Sequence, residues 1–179
     1  MEILFYTEHT TRAVVPVLDE QASVGQLARL WRIVYVGNIV GGLVFTLLAV
    51  TLTPELGIIS PEAFESIALI VSHGPLWLFI TGIFAGWLMG LIAWLISVAD
   101  TTVGRVVFVW LIIATITLLH LPHSIATNVE VLFGVLISSA ITPLDYLVFL
   151  IVVTVGNAIG GSVFVTLIKY GHVTREGVT

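Results

Sequence analysis

The residues best suited to chemistry lie inside an uncharged run, where positions 119–124 read Leu-His-Leu-Pro-His-Ser. Pro122 has no N–H and its ring collides with the preceding turn, so it kinks or breaks a helix. A half-helix restarting near Ser124 would present its first N–H groups and the positive end of its dipole, an arrangement that attracts anions. His123 stands at that break as a titratable hydrogen-bonding group. His120 precedes it by three residues, and a His-x-x-His pair is a partial ligand set for a metal or haem. No third ligand follows at a telling spacing, which leaves His120 as a structural hydrogen-bonding residue. Glu130, about two turns after His123, suits either a polar vestibule or a contact at the lipid interface or between helices. A second polar cluster, Thr7-Glu8-His9-Thr10-Thr11, precedes a short apolar stretch from Ala13 to Leu18. There are no cysteines, which excludes disulfides, thiolate metal sites and cysteine nucleophiles.

The elements that must position these residues are membrane helices. Hydrophobic residues make up 58% of the 179-residue chain and charged residues 9%, too few to keep the surface of a soluble domain wet. No Asp, Glu, Lys or Arg occurs within 33–54, 66–99, 106–129 or 146–168. Each stretch reaches the roughly 20 residues needed to cross a bilayer. The expected fold is an all-α integral membrane protein, a single membrane domain over 1–179. Its expected spans are 26–53, 76–98, 106–139 broken at 120–124, and 147–170. Residues 1–22 are too polar to span and suit a half-helix or loop. A short helix is expected from Ser60-Pro61-Glu62, and a helix start at Thr142-Pro143-Leu144-Asp145. Gly82, Gly86 and Gly90 form a GxxxGxxxG ridge for close helix approach.

One pattern occurs twice. Val36-Gly37-Asn38, Gly41-Gly42 and Val44-Phe45 recur 119 residues later as Val155-Gly156-Asn157, Gly160-Gly161 and Val163-Phe164. Three helices separate equivalent points, so the copies enter the membrane from opposite faces, as in an inverted repeat. The bland alternative is independent GxxxG packing in two helices. On the repeat, one helix and the front half of another are expected upstream of Met1, whether through a misassigned start or a truncation.

These residues resemble the formate/nitrite transporter family over nearly the whole chain. The resemblance rests on Leu4-Phe5 with Thr7, on Gly25-Gln26-Leu27-Ala28 leading into Val34-Tyr35-Val36-Gly37-Asn38, on His123-Ser124-Ile125-Ala126, and on Val153 to Gly161. It implies an aquaporin-like inverted repeat of three-helix units, a pore through each protomer and a homopentamer. On that plan the chain begins at the interruption of the second family helix. The resemblance further implies that His123 faces Thr7 across the pore, beside Ser124, with Leu4 and Phe5 at one constriction and Ile116 at the other. Gly37, Asn38, Gly41, Gly156, Asn157 and Gly160 are the packing positions of the repeat. Two departures leave the substrate open: the stretch 68–73 has no lysine, and Gly86 stands where many relatives carry asparagine.

The implied function is a non-enzymatic channel or transporter for a small monovalent anion such as formate or nitrite, linked to protons through His123. The alternatives are a non-transporting remnant of such a channel and an intramembrane metal or haem protein. No cofactor is expected. The net charge of −5 argues against a nucleic-acid partner. Arg29, Arg32, Arg105, Lys169 and Arg175 fall on one side of four crossings, which the positive-inside rule assigns to the cytoplasm together with the C-terminus, in a multi-pass plasma-membrane protein.

Overall fold

Lipid offers the backbone no hydrogen bonds, so apolar runs of this length close their N–H and C=O groups internally as helices. The computed structural model describes residue 17, residues 22–56 and residues 61–176. Among these, six helices follow in order: α1 (Val24–Leu56), α2 (Pro61–Ser72), α3 (Pro75–Val98), α4 (Thr102–Leu118), α5 (Ala126–Ile137) and α6 (Pro143–Glu176). Three are long and apolar enough to cross a membrane, over Val24–Leu52, Pro75–Val98 and Pro143–Phe164. The shorter α4 and α5 are also apolar and lie either side of the expected break.

Local signals set where the helices begin. Ser23 and Gln26 form a reciprocal box: the Gln26 N–H donates to Ser23 Oγ at 3.2 Å, and the Ser23 N–H donates to Gln26 Oε1 at 2.9 Å. Thr101 caps α4 by accepting from the Gly104 N–H. Thr142 and Asp145 build a second box ahead of α6, with the Asp145 N–H donating to Thr142 Oγ1 at 3.2 Å and the Thr142 N–H to Asp145 Oδ2 at 2.9 Å. With Pro143 in the first turn, α6 begins four residues before the expected span. The capping residues hold a turn that lies ahead of the uncharged run.

The helices pack through two apolar clusters. Ile67, Ile70, Leu78, Val131, Ile141, Phe149 and Val153 join α2, α3, α5 and α6, while Ile92, Ile112 and Ile116 join α3 to α4. The most extensive crossing is between α3 and α6, and it depends on glycine. A Cβ on Gly86 would lie 2.6 Å from Asn157 Cα, one on Gly156 would lie 2.7 Å from Phe79 O, and one on Gly160 would collide with Ile83 O. Two backbones this close gain dispersion contact that lipid tails cannot match. The expected ridge at 82, 86 and 90 is therefore one side of a two-sided contact with Gly156 and Gly160.

α1 is differently placed. Its span is 6% buried, against 33% for those of α3 and α6. It rests on α5, where a Cβ on Gly42 would meet Asn128 Nδ2 at 3.0 Å and Val129 Cγ2 at 3.3 Å, yet among the described residues nothing lies within 4 Å of a Cβ on Gly37 or Gly41. Gly160→Ala is accordingly expected to lose about 1–3 kcal/mol through overpacking. Gly41→Ala, its repeat counterpart, leaves stability unchanged or raises it by up to ~1 kcal/mol. Thermal unfolding of the two variants in the same detergent measures the contrast.

Candidate functional site: the interrupted helix around His123

The break between α4 and α5 is a closed hydrogen-bonded structure. α4 ends with the Leu121 N–H donating to Ile116 O at 3.0 Å and the His120 N–H donating to Thr117 O at 3.1 Å. His120 takes the left-handed conformation between them, φ 51°. This is a Schellman end with His120 in the place usually held by glycine, and Leu121 packs on the Ile116 cluster as the hydrophobic partner of that motif. His120 thus acts through its backbone, and its side chain is exposed. Its shape is costly for a residue with a Cβ, and the bonds around it hold it there.

α5 begins under a cap made by His123. The N–H groups of Ile125 and Ala126 donate to His123 Nδ1 at 3.4 and 3.2 Å. The His123 N–H donates to Thr127 Oγ1, and the Thr127 N–H returns to His123 O, both at 3.0 Å. A ring nitrogen that accepts carries no hydrogen, so the neutral imidazole holds its proton on Nε2. The expectation of N–H groups left open to an anion is corrected here. Those of Ser124, Ile125 and Ala126 are all taken by protein acceptors, because an unpaired buried N–H is expensive in a bilayer. The regular helix starts at Ala126, two residues later than expected.

The two strands of the break are tied down by one side chain. Asn157, 3% exposed on α6, accepts from the Ser124 N–H at 2.8 Å through Oδ1, while Nδ2 donates to Gly82 O at 2.8 Å and Pro122 O at 3.2 Å. It bridges the break, α6 and α3, and the missing side chain at Gly86 is what lets α3 approach it. A residue larger than glycine at 86 would strike the Asn157 backbone. His123, Ser124, Thr127 and Asn128 are all buried around this clasp. The Ser124 hydroxyl and Asn128 Nδ2 have no hydrogen-bond partner among the described residues.

The other expected site residues are placed as follows. Ile116 is buried against Ile92 and Ile112 and supplies a carbonyl to the Schellman end. Glu130 is exposed. Leu4, Phe5 and Thr7 lie outside the described residues. Among the described residues no group of three or more His, Asp or Glu gathers at metal-binding range. Four residues of the hydrogen-bond network were given no role in the sequence analysis. Thr127 was detectable as a hydroxyl one turn after His123. Tyr146 donates to Asn128 Oδ1 at 2.8 Å, with no local signal. Tyr35 Oη and Thr154 Oγ1 lie 2.9 Å apart. They stand 119 residues apart, the spacing of the repeat, but differ in type and so fall outside the matched pattern.

The described residues form an all-α, multi-span membrane architecture, with a helix interrupted between α4 and α5 and closed around a buried histidine. The chain belongs to the formate/nitrite transporter family, whose model matches residues 2–171. It is 28% identical over 178 residues to inner membrane protein YfdC of Escherichia coli (strain K12), covering 96% of this chain and 55% of that protein. It is 25% identical to a probable formate transporter of Methanothermobacter thermautotrophicus, covering 89% of this chain and 64% of that one. Among solved structures, an FNT family ion channel superposes with a TM-score of 0.83 at 22% identity, covering 94% of this chain and 68% of the other. The chain thus spans 55–64% of the length of these two curated relatives.

The clasp makes a measurable distinction between the two repeat asparagines. Asn157→Ala leaves the Ser124 N–H and Pro122 O without this partner, each costing about 1–3 kcal/mol, and is expected to speed amide exchange at Ser124. Asn38→Ala removes a bond to Val34 O within one helix and should leave Ser124 exchange unchanged. Hydrogen exchange of both variants in nanodiscs checks this.

Proposed function

We propose that this chain forms part of a pore for a small monovalent anion, formate, nitrite or a similar weak-acid anion, with His123 at its central polar point. The observation that carries the reading is the buried His123 at a helix break whose backbone is already satisfied. Because Nδ1 caps α5, Nε2–H is the group the ring can offer to a passing anion. A lone anion is costly in a low-dielectric passage, and a donor, or a proton shared with the weak acid, offsets that cost. Proton linkage belongs to the same proposal: charging the imidazole would put a second hydrogen on Nδ1 and compete with the cap, so proton movement would be coupled to the start of α5. Thr7, Phe5, Leu4, Ser124 and Ile116 are the further pore residues of this reading. The name of the Methanothermobacter relative supports the substrate class. A homopentamer, an inverted repeat and a cytoplasmic C-terminus complete the proposal. The Tyr35–Thr154 hydrogen bond supports the repeat, because equivalent residues can touch each other only near a pseudo-two-fold axis.

The second reading, a membrane protein without a complete pore wall, is favoured by one observation, the face of α1 around Gly37 and Gly41 that no other described residue covers. Flux separates the two. In proteoliposomes the protein is expected to pass formate or nitrite down a gradient, and His123→Phe to abolish that flux while retaining oligomeric state. Unchanged flux in the variant would remove His123 from the path, and no flux above empty liposomes in the parent protein would favour the incomplete wall.

A further inference from the structure

His120 holds a conformation that glycine takes without strain, and the Schellman end around it uses only its backbone. A side chain is kept here against the local backbone preference, which points to a task for that side chain. Its imidazole is exposed at the corner between α4 and α5. Beyond the corner stands Glu130, the one charged residue of α5. The helix buries Thr127, Asn128, Val131, Leu132 and Gly134 and leaves Ala126, Glu130 and Ile137 on the opposite face. Glu130 thus lies about 6 Å along the axis from the start of α5. His120 is the described residue whose charge acts on the Glu130 carboxylate. The elements packed on α4 and α5 carry their other charges toward their ends: Arg29, Arg32 and Glu55 on α1, Glu62 and Glu65 on α2, Asp145 at the start of α6, and Lys169, His172, Arg175 and Glu176 at its end, with none on α3. α4 itself carries Arg105 in its first turn. His123 is the other titratable group at the break, and its buried ring caps α5.

We propose that His120 and Glu130 bind one proton between them and clamp α4 to α5 on the outer side of the break, while Asn157 holds its inner side. A lone carboxylate or a lone imidazolium is costly inside a membrane. With one shared proton the pair is neutral overall, as imidazolium with carboxylate or as imidazole with carboxylic acid, and it titrates as a unit. Removing that proton leaves an uncompensated carboxylate beside the start of α5. Adding a second leaves an uncompensated imidazolium at the end of α4. Either change weakens the attraction across the corner, so the break is held most tightly over the pH range in which the pair keeps one proton. The site is separate from His123, whose Nδ1 is committed to the cap, and the proposal stands apart from the anion assignment.

Histidine-selective isotope labelling of the full chain in nanodiscs, with assignment by single substitution, follows the five histidines through a pH titration by NMR. Glu130→Gln keeps the shape of the side chain and removes its charge. It is expected to weaken proton binding at His120 about tenfold and to leave the titration of His73 in place. A His120 midpoint that does not move in Glu130→Gln would overturn the proposal. Stability gives an independent reading at neutral pH. His120→Gly relieves the left-handed turn in either background, but in the parent it also removes the clamp. The melting midpoint is therefore expected to rise more on adding His120→Gly to Glu130→Gln than on adding it to the parent. Equal changes in the two backgrounds would mean that His120 serves through its backbone only, and would overturn the clamp. Neither readout depends on flux, so the anion reading stands or falls separately.

Discussion

The bilayer core supplies no water to a helix end, and the rest of this structure is arranged around that constraint. Breaking a helix in mid-membrane exposes several carbonyls of one half and several N–H groups of the other. Here the carbonyl side is closed by the left-handed turn at His120. The N–H side is closed by the His123 ring and by the carboxamide of Asn157. Asn157 also bonds Pro122 O and Gly82 O, so the break, α3 and α6 are held by one side chain. Its reach requires α3 and α6 to touch backbone to backbone, which is why Gly86, Gly156 and Gly160 matter to a site they do not enter.

This closure changes what the site can do. A helix N-terminus with free N–H groups would bind an anion tightly, and a tightly bound anion does not leave. With those donors occupied by protein, the start of α5 is not an open anion site.

The two halves of the repeat carry the same residues in different surroundings. Gly156 and Gly160 are pressed against α3, whereas no other described residue lies within 4 Å of a Cβ at Gly37 or Gly41. Asn157 makes three bonds to groups outside its own helix, and Asn38 makes one within it. Identical side chains therefore perform different tasks according to whether a crossing helix stands opposite. Between the halves, Tyr35 and Thr154 meet although neither belongs to the matched pattern.

Much of this was legible from residue order alone. Four long uncharged runs require helices in lipid, because no other local structure satisfies their backbone. Pro122 requires an interruption, and the glycine spacing at 82, 86 and 90 marks a helix contact. These are local consequences of sterics and solvation, readable without knowing what lies opposite. The partners were not legible: which acceptors close the N–H groups after Pro122, and that Gly82 O meets Asn157 from 75 residues away. Nor could the sequence tell Asn38 from Asn157, whose flanking residues match. A hydrogen bond across helices depends on crossing angle and depth, which no local pattern encodes. Residue order determined a membrane helix broken at a histidine, and the packing of α3 on α6 decided how that break is held.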